Sequence, residues 1–123
     1  MAQIERDETR EERITMEIVV DAYGPEEQAM GWYAYLDDIL QIPFLARCIA
    51  KRVISPLQVG DEVEVLGMAP ADECEHEMFV MIRWEKDGLG VPLSQLKVVH
   101  TDDKQTQEAV EDWHYWVGRG YEF

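Results

Sequence analysis

The sequence predicts an α+β fold, in which a small antiparallel barrel or bent sheet is flanked by two helices. Two segments space their apolar residues as helices do, one after Gly24-Pro25 and one after residue 101. Between them lie several short apolar runs separated by turn residues, which is typical of a small antiparallel sheet. With 123 residues, the chain is long enough to bury the core of one domain.

The first 13 residues carry five acidic residues and three arginines. Such a segment buries too little apolar surface to offset the entropy lost on ordering, so we expect an acidic mobile segment at 1–13 and a single domain at 14–123. Apolar and polar residues then alternate over 14–23, which predicts a half-buried strand. The buried face of that strand would be formed by Ile14, Met16, Ile18 and Val20.

The first helix is predicted to begin at Gly24-Pro25, because proline suits the first helical position and acidic residues follow it. It should run to about Leu40. Pro43 cannot continue the helix and disfavours the helical conformation of Ile42. The residues that share the apolar arc of this helix are Ala29, Trp32, Leu36, Ile39 and Leu40.

Strands are predicted within 44–54, over 59–68, over 78–84, over 90–93 and over 96–99. Asp87-Gly88 between two apolar runs indicates a hairpin. The order of GDEVEV, the hairpin and VPLSQLKVV resembles an SH3-like barrel.

A second helix is predicted over 101–117, with Thr101 or Asp102 as its cap and glycines at 118 and 120 after its end. Its apolar arc holds Ala109, Val110, Trp113, Trp116 and Val117. The opposite face, which we expect to be solvated, carries Glu108, Glu111 and Asp112.

The net charge of -15, from 26 acidic and 11 basic residues, argues against nucleic acid or an anionic membrane as a partner. Cations and basic proteins remain as candidate partners. Cys48 and Cys74 form no C-x-x-C pair, and the sequence contains neither a signal peptide nor an apolar run of membrane-spanning length. We therefore expect a cytoplasmic protein with reduced thiols.

Two adjacent carboxylates, Asp37 and Asp38, stand near the end of the first helix, where acidic residues oppose the helix dipole. Because Pro43 stops the helix, carbonyls near Leu40 and Gln41 lack intrahelical partners. Fixed carboxylates beside free carbonyl oxygens suit a hard cation, so we expect a metal site at Asp37, Asp38 and Gln41.

A second acidic region, ADECEHEM at 71–78, places four acidic residues within six positions. Their mutual repulsion would be relieved by a cation, although a solvated loop explains them equally well. The residues concerned are Asp72, Glu73, Glu75 and Glu77. Cys74 and His76 could bind a softer metal, but no second pair at zinc spacing supports that alternative.

Signatures of common enzyme classes are absent: the sequence has no G-x-S-x-G, P-loop, dinucleotide fingerprint or H-E-x-x-H. Paired carboxylates could serve glycoside hydrolysis, but a chain this small leaves little room for a sugar cleft. We therefore expect a protein that is not an enzyme. The EF-hand loop is also missing, so a calcium site must be assembled from distant segments.

Four stretches resemble the cyanobacterial calcium-binding protein family (CcbP-like): GWYAYLDDILQIPFLARC, SPLQVGDEVEVLGMA, GVPLSQL and AVEDWHYWVGRGYEF. The resemblance covers about three quarters of the chain. It implies a small acidic α/β protein that binds calcium without EF-hands, as a cytosolic buffer or signalling component. Asp37, Asp38 and Asp112 match acidic positions of the family pattern, which makes them candidate calcium ligands. Glu73, Glu75 and Glu77 are added as candidate ligands on charge density alone.

The leading hypothesis is thus a monomeric, cytosolic calcium-binding protein with one better site near Asp38 and weaker sites among the other carboxylates. The alternative is an acidic SH3-like interaction module that engages a basic protein partner or imitates nucleic acid. Both hypotheses account for the negative charge, so the charge cannot distinguish them. They differ in whether calcium binding is saturable, selective over magnesium and resistant to salt.

Overall fold

A five-stranded antiparallel sheet is at the centre of the computed structural model, which describes residues 5–123. The strands are β1 (Phe44–Cys48), β2 (Glu62–Met68), β3 (Phe79–Ile82), β4 (Leu89–Pro92) and β5 (Leu96–His100). They are ordered β4-β3-β2-β1-β5, so β4 and β5 form the two edges. The helices are α1 (Glu8–Arg13), a π-helix (Ile14–Ile18), α2 (Pro25–Ile39) and α3 (Lys104–Gly118). The predicted α+β fold is confirmed, whereas its SH3-like character stays a prediction.

The predicted hairpin is present, because β3 and β4 pair in antiparallel register on either side of Asp87-Gly88. Gly88 has φ of 77°, which suits the turn position that glycine occupies in such hairpins. The run at 44–54 forms a strand only over its first half, and the chain then makes an irregular loop. Ile49 N donates to the Gln95 carbonyl at the start of that loop.

An aromatic cluster joins α2 to α3 in the hydrophobic core. Trp32 on α2 lies edge-on to Trp113, with ring centroids 5.0 Å apart, and to Trp116 at 5.6 Å. Phe123 contacts both α3 tryptophans, with centroids 6.0 Å away. Most residues of the two predicted arcs are buried, but Ile39 is only partly buried, Leu40 follows the end of α2, and Val117 is exposed.

The strand predicted over 14–23 is wrong, because residues 14–18 form a π-helix that packs on α2. Ile14 and Ile18 are buried, whereas Met16 and Val20 are 64% and 53% exposed. Residues four apart lie on one face of a helix and also on one face of a strand, so the burial of Ile14 and Ile18 is compatible with either structure. Gly31 permits the contact, since a Cβ there would lie 2.5 Å from the Ile18 carbonyl oxygen.

The acidic segment predicted to be mobile contains α1, which is anchored to α3 by charged and polar side chains. The predicted entropy cost omitted these long-range ion pairs, and the mobility of 1–13 and its boundary with 14–123 stay predictions. Residues 1–4 lie outside the described part of the chain. The cap of α3 is Asp103, one residue later than the predicted Asp102. No helix of residues 5–123 has the length and hydrophobicity to cross a membrane.

Candidate metal centre

The end of α2 is shaped by a hydrogen bond that Gln41 donates to α3. Gln41 N, which would donate to the Asp37 carbonyl if the helix continued, instead donates to Thr106 Oγ1 at 2.7 Å. Leu40 has extended dihedral angles, and Pro43 has no amide hydrogen to donate back to the last turn. Carbonyl oxygens at the end of α2 are thereby released from helical pairing, as the sequence predicts.

Thr106 is held in place by the cap of its own helix. Its hydroxyl donates to Asp103 Oδ2 at 2.7 Å, and the same carboxylate oxygen accepts from Thr106 N at 2.9 Å. Because Thr106 is fully buried, these bonds are protected from competition with water. The chain from Asp103 through Thr106 to Gln41 therefore fixes where the backbone leaves α2.

Asp37 and Asp38 are both exposed at this carbonyl end of α2. The last turn of a helix carries a partial negative charge, so two carboxylates there are electrostatically unfavourable without a cation. No basic residue lies in the last turn of α2 to offset them. The position can accept a cation without first breaking a side-chain ion pair of α2.

Tyr33 connects this helix end with the acidic loop. Its hydroxyl donates to the Ala69 carbonyl at 2.8 Å. Burial raises the pKa of Tyr33, and the nearby carboxylates of Asp37 and Asp72 raise it further. Asp37 from α2 and Asp72 from the loop therefore act on the same hydroxyl group, although 35 positions separate them in the sequence.

The acidic loop is divided between free and paired carboxylates. Asp72, Glu73 and Glu75 are exposed on the short 3-10 helix Ala71–Cys74 and the residue after it. Glu77 instead pairs with Arg52, with Nη2 and Oε1 2.8 Å apart. The predicted group of three glutamates is thus reduced to Glu73 and Glu75 as carboxylates open to a new ligand.

Cys74 contributes to the core of this loop rather than to its surface. Its Sγ accepts a hydrogen bond from Phe79 N at 3.3 Å, and burial raises the pKa of the thiol. A raised pKa disfavours the thiolate that a soft metal requires. His76 is exposed whereas Cys74 is buried, and no third histidine, cysteine or acidic side chain of residues 5–123 completes a metal site with them, so the alternative of a Cys74 and His76 site lacks structural support.

The sequence predicts that Asp112 lies on a solvated face of the second helix, but the structure buries it. The residue is fully buried, and its Oδ1 accepts hydrogen bonds from Arg10 Nη1 and Arg13 Nη2, each at 2.7 Å. Arg13 Nε also donates to Oδ2 at 3.1 Å, and this pairing raises the pKa of Arg13. The prediction of a solvated Asp112 is wrong, since two arginines from α1 cover it.

Gln41 also borders an open cleft of about 470 Å³ that sequence reasoning missed. Its acidic lining residues are Glu64, Asp102 and Asp103. Glu64 reaches it because β2 pairs with β1, with Glu64 opposite Leu45. Glu64 also pairs with Arg83 at 2.6 Å. Only the sheet register brings Glu64 near Gln41, and no local sequence signal reveals it.

The residues present suit calcium better than a metal that needs a closed side-chain cage. Within residues 5–123, no three histidine, cysteine or acidic side chains converge to hold a metal ion. Calcium accepts six to eight oxygens from carboxylates, carbonyls and water with tolerant geometry. One or two carboxylates beside released carbonyls can therefore supply part of its coordination, with water supplying the rest.

Comparison with known proteins agrees with this chemistry. The family model of CcbP-type proteins, described as "Calcium binding", matches residues 12–117. Two solved structures, each 48% identical over 100% of both chains, are described as "The crystal structure of Anabaena CcbP", with a TM-score of 0.86, and "Calcium binding protein in the calcium-binding form", with a TM-score of 0.83. The search of curated proteins found no match. The resemblance predicted from the sequence is confirmed, and the chain belongs to the CcbP family of calcium-binding proteins.

Proposed function

We propose that this protein binds calcium at the carbonyl end of α2, through the carboxylates of Asp37 and Asp38 and the carbonyls near Leu40 and Gln41. The observation that carries the proposal is the diversion of Gln41 N to Thr106, which leaves the carbonyl of Asp37 without its helical partner on a residue whose own carboxylate is exposed. No EF-hand is required.

Selectivity for calcium over magnesium follows from the mixed set of oxygens. Magnesium demands a near-ideal octahedral shell and gives up its waters reluctantly, whereas calcium tolerates irregular arrangements of protein oxygens. Without a preformed chelating loop, we expect a dissociation constant of roughly 10⁻⁷ to 10⁻⁴ M, the range of sensors and weaker sites. Glu73 and Glu75 would form a weaker site.

Two of the residues predicted as ligands have structural partners instead. Asp112 is bonded to Arg10 and Arg13, and Glu77 is bonded to Arg52. A cation at either carboxylate would have to displace a guanidinium group, which costs the charge-assisted hydrogen bonds already formed. We therefore assign calcium to the exposed carboxylates and leave these two out of the proposed site.

A small acidic protein with a site of this strength suits the role of a cytosolic calcium buffer or signalling component, and not that of an enzyme. Its surface charge raises the local cation concentration, and a site open to solvent exchanges its ion without a large rearrangement. The family assignment supports calcium as the ligand. The cellular role rests on the proposed affinity.

The test is a calorimetric titration of the intact protein with calcium, in 0.15 M salt and excess magnesium. We expect saturable binding, and we expect Asp38→Ala to remove the tightest phase and Asp37→Asn to weaken it at least tenfold. Asp87→Asn is the matched control: it removes one negative charge from an exposed hairpin turn and keeps the turn chemistry. This variant should bind calcium as the unmodified protein does.

A diffuse acidic surface would give a different result. It would bind calcium and magnesium alike, lose both to salt, and respond equally to Asp38→Ala and Asp87→Asn. Such an outcome would reject the proposed site and favour the acidic interaction module.

A further inference from the structure

A mostly apolar groove of about 520 Å³ lies between α2 and the acidic loop, outside the carbonyl end of the helix. Its apolar surface comes from Ala29, Met30 and Ala34 on one side and Phe123 on the other. Met30 is 72% exposed, so the groove presents a large apolar side chain to solvent. The volume lies within the range of roughly 300–1,000 Å³ that is usual for binding clefts.

Carboxylates border this apolar surface. Glu26 in the first turn of α2 and Asp72 and Glu75 in the loop line the same groove. None of the three has an ion-pair partner among the salt bridges of residues 5–123. Together with the net charge of -15, they favour a partner that carries positive charge around an apolar centre.

The walls of the groove are held in place before any partner arrives. The Tyr33 hydroxyl ties α2 to Ala69 just before the loop, and the Cys74 thiol ties the loop to Phe79. Phe123 is fixed by its stacking on Trp113, with ring planes inclined by 28°. A preformed groove requires little ordering on binding, so more of the contact energy appears as affinity.

We propose that this groove docks a basic, amphipathic helical segment of another protein, with leucine- or methionine-sized side chains on Met30 and Phe123 and lysine or arginine beside Glu26, Asp72 and Glu75. The apolar surface selects the inserted side chains, and the carboxylates select the flanking charges. An anionic partner is disfavoured by the same carboxylates. A second copy of this strongly acidic chain is disfavoured by charge repulsion.

The test uses the intact protein and two synthetic helical peptides of equal length and equal positive charge. One carries leucines at two positions four residues apart, flanked by lysines, and the other has serines in place of both leucines. At 0.15 M salt we expect the leucine peptide to bind at least tenfold more tightly, because only its side chains bury apolar surface.

Variants then locate the binding. Met30→Ser and Ala34→Arg should each weaken the leucine peptide about tenfold, and both positions are exposed enough to leave folding intact. Val53→Ser, which alters an exposed apolar residue outside the groove, should have no effect. Circular dichroism checks that each variant is folded.

Equal binding of the two peptides would overturn the proposal, since generic charge attraction would then explain the binding. An unchanged affinity of Met30→Ser and Ala34→Arg would overturn it as well. Sedimentation analysis adds a third outcome: self-association at micromolar concentration that Met30→Ser abolishes would replace the basic partner with a second copy. Calcium titration of Met30→Ser should be unchanged, which separates this test from that of the metal site. Ala34→Arg is left out of that comparison, because an arginine three and four residues before Asp37 and Asp38 would pair with their carboxylates.

Discussion

Asp112 illustrates how a single buried charge can determine the position of a whole segment. The carboxylate is fully buried on α3 and accepts hydrogen bonds from Arg10 and Arg13 of α1. α1 itself has no buried residue, so these bonds and those of Glu11 to Tyr115 and Tyr121 hold it on the domain. A buried carboxylate left without its partners would be strongly unfavourable.

We predict that Asp112→Asn lowers the free energy of unfolding by about 3 kcal/mol, because it removes the buried carboxylate that Arg10 and Arg13 share. Urea denaturation at pH 7 measures the change. Calcium affinity should stay the same, since Asp112 is assigned a structural role.

The matched control is Glu108→Gln, which removes a half-exposed carboxylate 3.5 Å from the Arg13 Nε. An exposed ion pair contributes little, so this change should cost less than about 1 kcal/mol. Equal stabilities of the two variants would contradict the account, and a loss of calcium binding in Asp112→Asn would return Asp112 to the set of ligands.

His114 makes the stability of the fold dependent on pH. The residue is largely buried on α3, and its Nε2 hydrogen-bonds to the Leu96 carbonyl, so Nε2 carries the hydrogen. Burial lowers the pKa of His114 below its usual value of 6.5, although the Leu96 bond and Glu111 oppose the shift. Protonation therefore favours the unfolded chain.

We predict that stability falls as the pH drops below about 6.5, by no more than about 1.4 kcal/mol per pH unit from this group. The sign follows because the unfolded chain binds a proton at a pH where the folded protein does not. Urea unfolding at pH 7.5, 6.5 and 5.5 should show a smaller decrease for His114→Gln than for the unmodified protein. The exposed His76→Gln is the control, and equal decreases in all three proteins would contradict the prediction.

At the scale of elements, the contact between the π-helix and α2 depends on a missing side chain. Gly31 lies where a Cβ would come within 2.5 Å of the Ile18 carbonyl oxygen, which is backbone and cannot move independently. The contact brings Ile14 and Ile18 into the core beside Trp32. Glycine at this position therefore decides how the segment before α2 packs.

We predict that Gly31→Ala lowers the free energy of unfolding by about 1–3 kcal/mol, since overpacking against backbone outweighs the better helix propensity of alanine. Gly90→Ala is the control, because a Cβ there would meet Met81 Sδ at an ordinary 3.7 Å. Thermal and urea unfolding of the two variants provide the comparison. A Gly31→Ala protein as stable as Gly90→Ala would show that the two segments do not pack as described.

The elements that the sequence predicts correctly are those whose signal is local. Both long helices, the hairpin at Asp87-Gly88 and most strands carry their own caps, turns or periodicity. The strand predicted over 14–23 failed because its apolar residues fit two periods, and packing on Gly31 decides between them. Likewise α1 depends on Asp112, which lies about 100 positions away, and no local pattern reports such a pairing.

Across the whole molecule, the carboxylates fall into two groups. Some carboxylates are bonded to arginines and hold segments together, as Asp112 and Glu77 do. Others face solvent, including Asp37, Asp38 and Asp72. The sequence identifies the dense acidic regions and the released carbonyls after α2, but only the fold shows which acids are already paired. It also brings Asp72 to Tyr33 and Glu64 to the cleft beside Gln41.

The location of bound calcium tests the central proposal most directly. Crystals grown with calcium, and measured at a wavelength where calcium scatters anomalously, reveal the ion position without reference to any ligand assignment. We predict that the strongest peak lies within about 2.3–2.6 Å of a carboxylate oxygen of Asp37 or Asp38. A strongest peak elsewhere, or the same peak in crystals of Asp38→Ala, would contradict calcium binding at the end of α2.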